Sequence, residues 1–557
     1  MNIFDNNTKN IPARILEIMK NRGITGPEEI CEYISRKPQT AYDPFLMKGM
    51  DEAVSRIFQA VDNKEKIVVY GDYDTDGVTS TALLMRAIGT YTSNLFYYIP
   101  SRLDEGYGLH KESISRIKEE GADLLVSVDC GATAAEEVEF AHSISLDTVI
   151  TDHHNVGEKK APGIVVDPRD KDSGYPFTGL AGVGVAYKLA LALSAERPLP
   201  PGMKLSLLEL VAIGTIGDIM PLTDENRTIV KYGLNVINSG RGCLGIMRLI
   251  EMAGLDYKTI TATGLAFGII PRINSAGRLG DASVSVKMLL SENEDSAEVY
   301  CSRLMELNDR RRSLQDKAYE VCRPEAEHQL EDGDFLLIEA RGVHEGILGI
   351  VAGKIKEEMH RPVVIVTPGG EDGLWKGTGR SVEGVNLFEM LNKYNQRFVH
   401  FGGHNAACGF TIEESEIAQL RKDLQRDMAQ VCRENPAVFD EPVFVDEYIG
   451  IEEADLDLAE GLKLFEPCGK GNEMPVFGFS NVRIEDWRFL KNGRKYARFS
   501  VVAGRDRITG LLFHDAEDAL SLAESGEPLD VYGKLEINNW RNISSVQMIV
   551  DGIRLSR

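Results

Sequence analysis

The chain has 557 residues, of which 43% are hydrophobic and 27% charged, and a formal net charge of −24. At roughly 100–200 residues per domain this length predicts three or four units, and no stretch approaches the ~20 uninterrupted apolar residues of a membrane span. So acidic a composition excludes indiscriminate nucleic-acid binding over the whole surface and leaves room only for a focused basic groove.

The first 23 residues mix Arg14 and Lys20 among apolar ones and lack the apolar centre of a secretory signal. Eight scattered cysteines with no Cys-x-x-Cys pair read as free, mostly buried thiols. Both features predict a cytoplasmic setting. A helical segment is expected over 1–45. Between 66 and 166, short β-rich runs at 67–70, 95–99, 124–128, 148–150 and 164–166 alternate with helical stretches at 79–88 and 111–119. That alternation predicts a parallel sheet with helices on both faces, within a domain at 46–230.

From 231 to 330 the pattern is helical and connecting, and 296–327 reads as one long charged helix. Leu304, Leu307, Leu314, Ala318 and Val321 supply its apolar stripe, and Pro324 marks its end or a kink. A second α/β block is expected over 331–435, opening on Phe335-Leu336-Leu337-Ile338. Closely spaced strands over 441–557, with Gly turns at Gly478, Gly493, Gly504 and Gly533, predict a small β-barrel. The fold class is therefore α/β, with a long helix joining two α/β domains and a C-terminal β-barrel.

The densest chemistry follows the first β-rich run. Asp72-Tyr73-Asp74-Thr75-Asp76-Gly77 places three carboxylates at alternate positions, which in extended chain line one face. Carboxylates so close raise one another's pKa, and a bound cation is the usual way to hold them ionised. Four more polar clusters close later runs: Asp129-Cys130-Gly131, Asp152-His153-His154, Asp167-Pro168-Arg169, and Asp218. Singly, Asp129 or Asp218 would be read as a helix cap or solvated loop; their joint occurrence reverses that reading. Carboxylates with imidazole suit manganese or magnesium, here as a binuclear centre. Adjacent His153 and His154, if extended, point to opposite sides, one toward metal and the other toward substrate phosphate.

These motifs, with Gly402-Gly403-His404, resemble the DHH–DHHA1 phosphoesterase superfamily. Within it, Pro100-Ser101-Arg102, Glu105-Gly106-Tyr107-Gly108, the 271–278 segment ending Asn274-Ser275-Ala276-Gly277-Arg278, and Phe465-Glu466-Pro467-Cys468-Gly469-Lys470-Gly471-Asn472 resemble the bacterial RecJ exonucleases, which degrade single-stranded DNA from its 5′ end. The resemblance implies a DHH catalytic domain, a DHHA1 substrate-binding domain and an oligonucleotide-binding barrel. It implies that Asp74 and Asp76 bind different metals, that Asp129 bridges them, that His153 and Asp218 complete one shell, and that Asp72 supports or joins the first site. Tyr70 stands where many relatives carry His and is expected to pack or hydrogen-bond. A single-strand-binding protein and a helicase as partners, and a monomeric state, are further expectations.

Two metals about 4 Å apart can activate a water and clamp the attacked phosphate. His154 is the candidate for orienting or protonating a phosphate oxygen, and Arg278 for clamping phosphate. Asn274 is assigned an assisting role and Arg272 a structural one. His344 opens a helix whose N-terminal donors suit an anion, and the segments around Thr378, Arg380, Gly402, Gly403 and His404 are expected as anion-binding loops. Arg102, Thr378 and Arg380 are candidates for the 5′ end and Tyr107 for stacking on a base. In the barrel, Arg483, Arg488, Lys491, Arg494, Lys495, Arg498, Arg505 and Arg507 sit among Trp487, Phe489, Tyr496 and Phe499, a single-strand-binding pattern in which half the aromatics are expected inside. Rival readings are a DHH phosphodiesterase for short oligonucleotides or cyclic dinucleotides, which needs no barrel, and a non-catalytic RecJ-like DNA-binding scaffold, whose signature is loss of metal ligands. A pyrophosphatase leaves the third domain without a role.

Overall fold

A computed structural model describes residues 11–556 apart from 157–159, 371–372, 441–442, 491–493, 515 and 542. Strands β1 (Ile67–Tyr70), β2 (Leu95–Tyr98), β3 (Leu124–Val128), β4 (Asp147–Thr151) and β5 (Ile164–Val166) form a sheet ordered β2-β1-β3-β4-β5. Every pairing is parallel. Successive residues serve opposite faces. Val69, Val126 and Val149 enter the core under helices Met50–Asn63, Thr75–Ile88 and Gly182–Glu196, while Val68, Leu125 and Ile150 meet helices Lys111–Glu119 and Ala135–Ser143. The chain leaves β1 toward β2 and β3 toward β4, so the strand order reverses between β1 and β3. A crevice opens there at the carboxyl ends, where ligands bind in open α/β sheets.

The second helix of this domain begins at Thr75, earlier than the expected 79, because Asp74 caps it: its Oδ1 accepts from the N–H groups of Asp76 at 2.9 Å and Gly77 at 3.1 Å. The long helix runs from Glu294 to Asp332 and does not end at Pro324. Its last turns are held because Gln329 exchanges two 2.9 Å hydrogen bonds with the backbone of Leu337. Val321 is exposed, against expectation; the stripe passes instead through Ala318, Cys322 and Ala326, four residues apart on one face.

The second block holds β6 (Leu336–Glu339), β7 (Val363–Pro368), β8 (Leu374–Arg380), β9 (Phe398–His404) and β10 (Ala407–Glu413), ordered β6-β7-β8-β10-β9. Only β6–β7 is parallel. The C-terminal sheet of β11 (Glu447–Tyr448), β12 (Phe477–Phe489), β13 (Ala497–Ala503), β14 (Asp506–Leu512), β15 (Leu529–Trp540) and β16 (Ile543–Leu555) closes into a five-stranded barrel through a β12–β15 pairing. Gly504 makes an expected turn with φ 61°. Gly478 and Gly533 do not: both lie within strands, where an added Cβ would stand 2.4 Å from the Tyr448 ring and 2.1 Å from the Ile549 carbonyl. Gly493 and Lys491 fall outside the described residues.

The expected N-terminal segment is not an independent unit. Ile15, Ile18 and Met19 are fully buried in one core with Phe465, Phe477 and Phe499 of the C-terminal region. Buried Arg227, on helix Asp224–Asn238, donates to the carbonyls of Tyr33, Leu464, Phe465, Glu466 and Pro467, with its guanidinium 3.8 Å from the Tyr33 ring centroid. Three parts of the chain thus meet on one side chain.

Candidate active site

The acids converge by a route other than extended alternation. Asp72 and Asp74 lie in the turn after β1, and Asp76 lies in the first turn of helix Thr75–Ile88. Gly77 lets the turn fold back, since a Cβ there would stand 2.5 Å from the Asp72 backbone. Asp76 is aimed by its own hydrogen bonds: Oδ2 accepts from Gly182 N at 2.7 Å and Oδ1 from Val183 N at 2.8 Å, which caps helix Gly182–Glu196 with a carboxylate. Asp129 follows β3 with φ 62°, a left-handed conformation costly outside glycine and characteristic of functional sites. Gly182 permits the approach, as its Cβ would meet Asp129 Oδ1 at 2.7 Å. Asp218 ends helix Met203–Gly217 and remains partly accessible.

His153 Nε2 lies 3.0 Å from Asp129 Oδ1, 3.6 Å from Asp218 Oδ2 and 3.7 Å from Asp76 Oδ2, yet forms no hydrogen bond. Asp72 Oδ1 and Asp129 Oδ1 are likewise buried without a partner. Three donor sets lie close enough to hold a cation: Asp72, Asp74 and Asp129; Asp76, His153 and Asp218; and Asp129, His153 and His154. Buried orphaned oxygens around a neutral imidazole fit divalent metal. Burial, then mutual repulsion, pushes the Asp72, Asp76 and Asp129 carboxyls well above the usual range. Burial and the Asp74 charge hold Asp218 at about 6, against the pull of His154, Arg169 and Lys470. Burial and the neighbouring His154 lower His153 to about 3, its ligating, neutral form.

The two histidines do not diverge as expected; their ring centroids are 4.4 Å apart. The chain bends after β4 because Asp152 gathers it. Its Oδ1 accepts from His153 N at 2.7 Å and from the His154 ring at 2.7 Å, and its Oδ2 accepts from Ala132 N at 2.9 Å. Burial disfavours charge on His154, but the Asp152 hydrogen bond and charge, with the charges of Asp218 and Asp76, outweigh it and raise the imidazole to about 9. Asp152, given no role from sequence, is the orienting group. The Tyr107 hydroxyl donates to Asp129 O at 3.2 Å and sits 3.0 Å from His154 Nδ1, and the residue is 48% exposed. Tyr70 packs and hydrogen-bonds: it donates to Gly108 O at 2.9 Å and stacks on Tyr98.

Cations line the facing wall. Burial, then the charges of Arg102, Arg380 and Arg311, bring the Arg278 guanidinium down to about 9, while Asp74 supports it. Arg102 lies over the Tyr73 ring at 5.0 Å. Asn274 spends its side-chain oxygen on Thr75 N at 2.9 Å, positioning the acidic turn. Arg272 is occupied with Gly268 O and Met305 Sδ, as expected. The N-terminus of helix Glu345–Met359, capped by His344, presses on Arg278: a Cβ on Gly346 would stand 2.1 Å from its carbonyl. Thr378 and Arg380 lie on β8, and Gly402, Gly403 and His404 on β9. These are strands rather than the expected loops; glycine there makes room, as at Gly377, where a Cβ would meet the Phe410 ring at 2.3 Å. Burial, then Arg380, His154 and Lys470, lowers the His404 imidazole.

On the barrel, Arg483, Arg488 and Arg498 point outward, with Arg488 and Arg498 directly opposite one another on β12 and β13. Like charges so placed destabilise a sheet unless an anion lies across them. Trp487 stacks on buried Phe499 at 4.7 Å and packs against the core with Phe489, so these aromatics serve the interior. Arg494 pairs with Glu517, and Arg507 with Glu485.

A five-stranded parallel sheet carrying buried acids and histidine, with Arg102 and Arg278 beside them and a second α/β domain that adds Arg380, defines a DHH–DHHA1 phosphoesterase. Residues 66–215 match the DHH family N-terminal domain, 332–430 the DHHA1 domain and 445–552 the RecJ OB domain. The chain is 33% identical over 549 residues to the single-stranded-DNA-specific exonuclease RecJ of Bacillus subtilis, covering 98% of this chain and 68% of that one. To the Escherichia coli RecJ it is 31% identical over 574 residues, covering 98% and 97%. A crystal structure of Thermus thermophilus RecJ in complex with Mn2+ matches with a TM-score of 0.80 at 28% identity, over 98% of this chain and 79% of that one. The chain belongs to the RecJ family.

Proposed function

We propose that the chain is a metal-dependent exonuclease specific for single-stranded DNA, with two divalent cations, Mn2+ or Mg2+, as cofactors. The observation that carries this is His153 Nε2, a buried nitrogen facing three carboxylates with no hydrogen bond. Asp72, Asp74, Asp76, Asp129, His153 and Asp218 hold the cations, which when bound supply an activated water and neutralise charge on the attacked phosphate. His154, held by Asp152, orients or protonates a phosphate oxygen. Arg278 clamps phosphate, and Arg102, Thr378 and Arg380 receive the 5′-terminal phosphate, which sets a 5′-to-3′ direction. The Tyr107 ring stacks on a base, and His344 with Gly402, Gly403 and His404 lines the strand's path.

The matched OB domain and its outward arginines favour long single strands over dinucleotides, and the complete ligand set disfavours a non-catalytic scaffold. A single-strand nuclease needs its strand exposed, so a helicase and a single-strand-binding protein are fitting partners of a monomeric, cytoplasmic enzyme. Among the described residues, no helix is long and apolar enough to cross a membrane. Mn2+-supported digestion of a linear single strand against its matched duplex, with Asp129→Asn as control, tests the reading: nucleotides are expected from the single strand with wild type only, and equal release from the duplex contradicts it.

A further inference from the structure

Lys376 joins two parts of the molecule that carry the candidates for the 5′ phosphate. It lies on β8, where successive residues serve opposite faces: Lys376, Thr378 and Arg380 share one face, whereas Trp375, Gly377 and Gly379 are buried on the other. The first face rests on helix Glu345–Met359. A Cβ on Gly349 would stand 2.9 Å from Arg380 Nη2 and 3.3 Å from Thr378 Cγ2, and one turn earlier Glu345 pairs with Lys376 Nζ at 2.6 Å. The same ammonium donates to the Leu103 carbonyl at 3.3 Å, in the segment that follows β2 of the first sheet. That segment is pinned on either side of Leu103. Glu105 Oε1 accepts from Ser101 N at 2.9 Å and Oε2 from the Tyr98 hydroxyl at 2.8 Å, and Tyr70 holds the Gly108 carbonyl. Arg102, the residue before Leu103, lies over the ring of Tyr73, which stands in sequence between Asp72 and Asp74.

We propose that Lys376, locked by Glu345, is a positioning residue: it fixes the Arg102 segment against the strand that carries Thr378 and Arg380, so that the two arginines keep the separation one terminal phosphate requires. An ammonium has donors for both the Glu345 carboxylate and the Leu103 carbonyl. Holding that carbonyl sets where the neighbouring Arg102 side chain begins. The need is physical, because a pocket divided between two sheets has no covalent means of keeping its width, and a small displacement of one guanidinium spoils a paired clamp on phosphate. Lys376 itself acts through Arg102 rather than on the substrate. This assignment rests on the 5′-phosphate reading of Arg102, Thr378 and Arg380 above.

The test uses full-length protein with Mn2+ and two single strands of one sequence, ending in a 5′ phosphate or a 5′ hydroxyl. The kcat/KM for release of the first nucleotide is measured for wild type, Lys376→Met, Lys376→Arg, Arg102→Ala and the double variant of Lys376→Met with Arg102→Ala. Wild type is expected to favour the phosphorylated strand at least roughly tenfold. Lys376→Met is expected to lose about tenfold on that strand and less than about twofold on the hydroxyl strand, with Lys376→Arg keeping most of the preference. Beside Arg102→Ala, Lys376→Met is expected to cost less than about a further twofold, because its effect passes through Arg102. The proposal is overturned if Lys376→Met keeps the wild-type preference, slows both strands by the same factor, or costs its full factor when Arg102 is already gone; these results mark no role, a packing role and a direct phosphate contact. Wild type that releases nucleotide equally from both strands, or from neither, overturns the 5′-phosphate reading, and this assignment with it.

Discussion

Asp129 concentrates the chemistry of the site in one residue: a left-handed backbone, a buried orphaned oxygen and a 3.0 Å approach to His153. Asp129→Ala is expected to abolish Mn2+ binding at its site and lower turnover by at least about a thousandfold, read by calorimetry and by nucleotide release. Arg278→Ala is expected to cost roughly 10–100-fold in kcat/KM, with Lys recovering part, because a guanidinium can present two donors to a phosphate and an ammonium acts as a point charge. The acids were legible because three carboxylates followed a β run and Gly77 closed the turn. The left-handed Asp129 and the role of Asp152 were not legible, since both depend on neighbours brought in by β3, β4 and helix Gly182–Glu196.

At the scale of elements, the sheet and the long helix were readable from periodicity, while their joints were not. Val321 misled, and the helix continues past Pro324, because packing on β6 overrides local preference. The fate of the N-terminal helices was invisible for a similar reason: Ile15, Ile18 and Met19 look like any amphipathic stripe, and only the three-dimensional arrangement assigns them to the barrel core. Arg227 binds these parts together. Arg227→Met strands five carbonyls, two of them in fully buried hydrogen bonds, and is expected to destabilise the protein by about 2–4 kcal/mol, seen as a lowered thermal midpoint with Mn2+ affinity unchanged.

Across the whole molecule, the catalytic domain supplies the acids and Arg102, helix Ile270–Leu279 supplies Arg278, the second α/β domain supplies Arg380, and a five-stranded barrel follows. Without metal the clustered acids set a pH dependence whose sign follows from their raised pKa values. The folded state then binds more protons than the unfolded one, so metal-free protein loses stability as pH rises above about 4. Added Mn2+ is expected to restore the thermal midpoint, and by more at pH 8 than at pH 5; an equal gain at both would contradict the clustered-acid account. The central claim is end-directed hydrolysis of a single strand at this centre. Digestion of a linear single strand labelled at its 5′ end, beside a circle of the same sequence, tests it most directly: the label is expected to leave as mononucleotide from the first moments while the circle stays intact, and cutting of the circle, or label retained on a strand shortened from its 3′ end, would contradict it.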